Sequence, residues 1–95
     1  MTKYLKSHTL ENFKQYLIQK GYSEYTSSGK PSTVYDYVKR VEKILERETI
    51  SISKLTENID FYVSKYDDFG TEAEFGKKSH RAFINALKRF QDFCQ

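Results

Sequence analysis

Residues 31–48 read PSTVYDYVKRVEKILERE. Val34, Tyr37, Val38, Val41, Ile44 and Leu45 recur at the i, i+3, i+4, i+7 spacing that gathers side chains on one side of an α-helix. Pro31 marks the start, and Ser32 or Thr33 supplies a capping hydroxyl. The pattern predicts a helix over 32–47 with one apolar stripe, and that stripe needs helical partners.

The partners lie on either side. Upstream, Leu10, Phe13, Tyr16 and Leu17 share a helical face, and Gly21 follows where a left-handed C-terminal cap is expected. This predicts a helix over 9–20. Downstream, Ser53 is positioned as an N-cap for a helix over 54–66 bearing Leu55, Ile59, Val63 and Tyr66 on one stripe. A last helix over 79–93 begins at Ser79 and carries Phe83, Ile84, Leu87, Phe90 and Cys94, with Ala86 alongside. Strand patterning is confined to Thr49-Ile50-Ser51-Ile52, which reads as an extended connector whose isoleucines plug the core. The expected fold is therefore all-α, a small four-helix bundle in one domain over 1–95. Its expected core is Phe13, Leu17, Val34, Val38, Val41, Leu45, Leu55, Ile59, Val63, Phe83, Leu87 and Phe90. Two stretches, YTSSGKPS at 25–32 and DDFGTEAEFGKK at 67–78, read as solvated polar loops.

Composition bounds the function. The 95 residues hold 16 Lys or Arg against 13 Asp or Glu, a formal charge of +3. A chain of this length buries about 60–65% of its unfolded surface in one core, which excludes an enzyme with a deep interdomain cleft. Eight Tyr and seven Phe supply that core, and balanced charge with a single Pro argues against disorder. No apolar run approaches the ~20 residues of a membrane span, and the start MTKYLKSH lacks an apolar signal region. A cytoplasmic protein is expected. The single cysteine, Cys94, excludes an internal disulfide and a cysteine zinc cage.

Neither His8 nor His80 belongs to a ligand-spaced cluster, and Asp67, Asp68, Glu72 and Glu74 do not follow the calcium-loop spacing. No catalytic residue, metal or cofactor is expected, so the chain reads as a non-enzyme.

The basic residues are better organised. Arg40, Lys43 and Arg47 form a line on the second helix, with Lys39 beside it. Arg81, Asn85 and Lys88 line a face of the last helix whose only acid is Asp92. Lys30, Ser32, Thr33 and Tyr35 gather at one helix start, and Lys77, Lys78, Ser79, His80 and Arg81 at the other. Free N–H groups at helix N-termini attract phosphate, and hydroxyls and amides can position it or read base edges.

The segments FKQYLIQKGYS (13–23), PSTVYDYVKRVEKILE (31–46), SKLTENIDFYV (53–63) and SHRAFINALKRFQDFC (79–94) follow one another in a familiar order. Over roughly 9–94 the chain resembles the SAM-like core-binding domain of tyrosine recombinases and phage integrases. In that family a first helix ends near a Gly and a second opens with Ser/Thr-x-x-x-Tyr. The last helix reads R-x-x-x-x-A-L-x-x-F, matched here by Arg81, Ala86, Leu87 and Phe90. The resemblance implies a module forming half of a clamp on double-stranded DNA, with catalysis in a separate downstream domain. Contacts would come from Lys30, Ser32, Thr33, Tyr35, Lys39, Lys77, Lys78, Ser79, Arg81, Asn85 and Lys88. Both polar loops are longer than the family pattern calls for, and the acids at 67–74 would repel a phosphate backbone. A second reading, from another class, is a small phage or mobile-element interaction module that inhibits a partner enzyme. Its contacts would be loop aromatics Tyr22, Tyr25, Phe69 and Phe75.

Overall fold

The decisive segment forms α2, Thr33–Glu48, with Val34, Val41, Ile44 and Leu45 buried on its inner face. In the computed structural model, backbone is described from residue 2 and side chains from residue 8, both to residue 95. Ser32 occupies the N-cap position in extended conformation, yet its hydroxyl makes no capping bond. At the other end Thr49 takes a left-handed φ of 54°. Its N–H and that of Ile50 close the helix on the carbonyls of Glu46 and Leu45. A β-branched residue at positive φ is costly, so no local signal announces this stop.

Six helices run in order through the described residues: α1 (Thr2–Gln19), α2, α3 (Ile52–Glu57), α4 (Ile59–Tyr66), α5 (Ala73–Gly76) and α6 (Lys78–Cys94). Among the described residues there is no strand, only an isolated bridge between Tyr25 and Pro31. The protein is a small all-α bundle. Gly21 caps α1 as expected: at φ 97° its N–H donates to the Ile18 carbonyl while that of Tyr22 reaches Leu17.

Four expectations need correction. The helix expected over 54–66 is two helices broken at Asn58, whose amide side chain turns back to the Lys54 carbonyl (3.0 Å). The capping serine is Ser51, which accepts from the Lys54 N–H at 3.1 Å, rather than Ser53. Ile52 therefore enters the core from the first turn of α3 and not from an extended connector. The last helix opens with a left-handed turn, Ser79, His80 and Arg81 having φ of 54°, 60° and 67°, so regular helix starts after Arg81.

The core is aromatic at its centre. Phe13 and Phe90 meet edge to face at 5.1 Å between ring centres. Leu17, Ile44, Leu55, Ile84 and Leu87 close around them, all fully buried. Val38 and Phe83, expected inside, are only partly buried against this cluster because both lie at the edge of the α2–α6 contact. Ile44, Tyr62, Tyr66 and Ile84 fill the interior as well.

The 67–78 stretch is the largest departure. It is a packed element: α5 buries Ala73 and Gly76 and inserts Phe75 against Tyr66 and Phe83 at 6.0 and 4.4 Å. Gly70 and Gly76 permit this. A Cβ on Gly70 would stand 2.1 Å from the Lys65 carbonyl oxygen, and one on Gly76 would stand 2.0 Å from that of Tyr66. Below it, fully buried Tyr66 donates to Glu48 Oε2 (2.5 Å) and Lys65 donates to Oε1 (2.8 Å). Burial alone pushes the Glu48 carboxyl up, but those two bonds and the Lys65 and Arg47 charges outweigh it and hold it low. The Tyr66 hydroxyl is pushed well above its ordinary value by burial and then by Glu48.

Candidate functional site

Helices α2 and α6 lie side by side in opposite directions. Tyr37, near the start of α2, feels the charge of Arg89 late in α6. Arg40 stacks on Phe83 (5.1 Å), and Arg47 covers Phe75 at 3.9 Å, just before α6 begins. This pairing sets the α2 line of Arg40, Lys43 and Arg47 beside the polar face of α6. Lys78 joins it, its ammonium 5.3 Å over the same Phe75. The result is one surface of cations laid over two rings packed against each other, Phe75 and Phe83.

Arg40 stands out on that surface. Of the four arginines it alone has no carboxylate partner among the described residues; Arg47 pairs with Glu72, Arg81 with Asp68 and Arg89 with Asp92. Its Nε is buried and makes no hydrogen bond, while its guanidinium carbon lies over the Phe83 ring. A cation fixed against a ring and lacking a counter-charge is prepared for an anion. Periodicity had shown Arg40 in a basic line, but its special standing depends on Phe83, 43 positions away, and could not be read locally.

The face of α6 expected to be cleanest is the most neutralised. Asp67 and Asp68 swing over it from the end of α4: Arg81 meets Asp68 at 2.9 Å and Asp67 at 3.6 Å, and Lys88 meets Asp67 at 3.2 Å. The Asp67 carboxyl is held low, first by the Asp68 N–H and then, against burial, by Lys88 and Arg81. The sequence shows only Asp92 on this helix, and the acids that matter come from elsewhere. Asn85 remains exposed on the same face.

The other expected contacts divide. Lys39 and Lys77 are exposed and make no ion pair; Lys39 points outward from α2, and Lys77 precedes α6 near Lys78. Lys30 is likewise unpaired but sits in the 26–30 turn at the opposite end of α2, with Ser32 and Thr33. A 16-residue helix is about 24 Å long, so the two helix starts form separate contacts. Tyr35 belongs to neither. Its hydroxyl donates to Glu24 (3.1 Å) and faces Tyr25 (3.3 Å), while Lys14 lies 5.0 Å from its ring, which pins the hairpin to α1. Ser79 is exposed within the left-handed turn, so the row of helix N–H groups expected there begins later.

Of the loop aromatics, Tyr22 and Phe75 fold back on the core, whereas Tyr25 and Phe69 are exposed, Phe69 completely. Phe61 is exposed too and was not anticipated, because it follows the buried Ile59 on a short helix. Cys94 packs half-buried against the core; burial pushes its thiol up, countered by a bond to Thr56. Among the described residues no group of three His, Cys, Asp or Glu could hold a metal ion, and no helix is long and apolar enough to cross a membrane. Compared with known proteins, the chain matches no family model, no curated protein and no solved structure.

Proposed function

We propose that this chain is a double-stranded DNA-binding module of the kind its resemblance to the integrase core-binding domain implies. It would be non-catalytic alone and work beside a downstream catalytic domain. The observation that carries the reading is Arg40: stacked on Phe83, without a carboxylate, at the centre of the α2–α6 surface. Lys39, Lys77 and Lys78 add cations without an ion pair among the described residues, whereas Lys43 pairs with Glu46 at 3.8 Å and Arg47 with Glu72, and Asn85 adds an amide for a groove edge. Arg81 and Lys88 contribute less, because Asp67 and Asp68 already neutralise them. The Lys30, Ser32 and Thr33 end of α2 makes the second, weaker contact.

Few phosphates are neutralised by so small a surface, so affinity for a short duplex is expected at about 10⁻⁴–10⁻⁶ M at physiological salt and tighter at low salt. The test is a fluorescence-anisotropy titration of the wild type, Arg40→Ala and the pair Asp67→Asn/Asp68→Asn, each first shown to melt cooperatively. Arg40→Ala is expected to weaken binding and lower the salt slope by about one ion. The Asn pair is expected to tighten binding by releasing Arg81 and Lys88. A wild type that ignores the duplex sinks the proposal, as does an Arg40→Ala variant that binds like the wild type.

A further inference from the structure

Three acids in the segment between α4 and α5 each pair with a cation of the α2–α6 surface. Asp67 meets Lys88 at 3.2 Å and Arg81 at 3.6 Å, Asp68 meets Arg81 at 2.9 Å, and Glu72 pairs with Arg47. Arg47 lies on α2 and the other two cations on α6, so one short segment reaches both helices. Glu74, exposed on α5, has no cation partner among the described residues.

The backbone of this segment is held, and its acids are not. The Gly70 N–H donates to the Asp67 carbonyl (2.9 Å) and that of Glu72 to the Lys65 carbonyl (2.8 Å). The paired side chains, by contrast, keep 31–52% of their surface in water. Ion pairs this exposed are weak and screened by salt, so another anion can take the place of each carboxylate while the backbone stays where it is. A DNA phosphate is such an anion, recognised by guanidinium and ammonium in the way a carboxylate is.

We infer that residues 67–72 form an autoinhibitory strap. Its three carboxylates occupy Arg81, Lys88 and Arg47 in the free protein, and duplex phosphates displace them on binding. This rests on the DNA-binding reading and adds a competitor in cis to it, so the strap as well as the small number of cations keeps affinity low. The exchange has a signature in salt. Added salt loosens the three intrachain pairs along with the phosphate contacts, and part of the salt penalty on binding cancels. Neutralising the strap removes that cancellation.

The experiment titrates a short duplex by anisotropy between about 50 and 200 mM salt, where phosphate contacts dominate the response. Three proteins are compared, each first shown to melt cooperatively: the wild type, the triple variant Asp67→Asn/Asp68→Asn/Glu72→Gln, and the control Glu42→Gln/Glu57→Gln/Glu74→Gln. The control makes the same change in net charge through acids that have no cation partner among the described residues. Neutralising the strap is expected to tighten binding about tenfold at low salt and to steepen the salt slope by about one to three ions. The control is expected to do clearly less. In the wild type, added duplex should shift the carboxyl carbon signals of Asp67, Asp68 and Glu72. Equal tightening by the control would assign the effect to net charge and overturn the strap. A wild type that binds with those three signals unmoved, or with the affinity and slope of the strap triple variant, also overturns it and leaves the DNA-binding reading intact. If none of the three proteins binds the duplex, that reading fails and the strap fails with it.

Discussion

The two segments that join the main helices, 20–32 and 67–77, look alike in composition: each is polar and each holds two glycines. They are physically opposite. In the first, Gly21 and Gly29 adopt positive φ with nothing within 4 Å of where a Cβ would stand. The turn closes on itself through the Thr26–Lys30 bond and is fastened to α1 by Tyr25, Tyr35, Glu24 and Lys14. In the second, Gly70 and Gly76 lie against the carbonyls of α4, Ala73 is buried, and Phe75, Glu72, Asp67 and Asp68 reach three different helices. Glycine thus serves conformation in one segment and close approach in the other. One is an appendage, and the other is a structural element that also sets the charge of the proposed binding surface.

The sharpest way to break the comparison is Gly76→Ala. Its new methyl would collide with rigid helix backbone, and a loss of about 3 kcal/mol is expected from urea unfolding. A loss below about 1 kcal/mol would show that 67–77 yields as easily as a surface loop. Next is Phe75→Ala. Full burial would cost about 3–5 kcal/mol; for this half-buried ring about 2 kcal/mol is expected, with Arg47 and Lys78 released from its face. Gly29→Ala meets no neighbour and suffers only the left-handed penalty, about 1 kcal/mol in the same assay. A greater loss than for Gly76→Ala would invert the assignment.

The smallest effect separates the segments by pH. Glu48 and Asp67 titrate lower folded than unfolded, so the stability they add is fully present above the ordinary carboxylate range. It fades as pH falls through their depressed values. Unfolding midpoints between about pH 7 and pH 3 should fall toward acid, and Glu48→Gln should flatten that slope. Amide exchange should show 67–77 loosening in acid before 20–32. Equal slopes for wild type and Glu48→Gln would mean that the Tyr66–Glu48–Lys65 bonds contribute nothing.

Much of the fold was legible because amphipathic helices encode their inner face locally. Leu10, Phe13 and Leu17, the stripe Leu55–Ile59–Val63–Tyr66, and Ile84, Leu87 and Phe90 were all readable from spacing, and all are buried. The Asn58 break was not, since the stripe continues across it in register. The α5 insertion was hidden because Ala73 and Gly76 carry almost no hydrophobic signal, and their burial depends on the α4 carbonyls they meet. Of the candidate site, the cations were legible and their partners were not.

By itself, the sequence determined the all-α class, the main helices, most of the core and the basic lines on α2 and α6, because each follows from residues a few positions apart. Tertiary structure alone decided which of those charges remain available. Asp68 reaches Arg81, Glu72 reaches Arg47 and Phe83 reaches Arg40 from 13, 25 and 43 positions away. A charge's field depends on what lies within a few ångströms, and at those separations only the folded chain sets that distance.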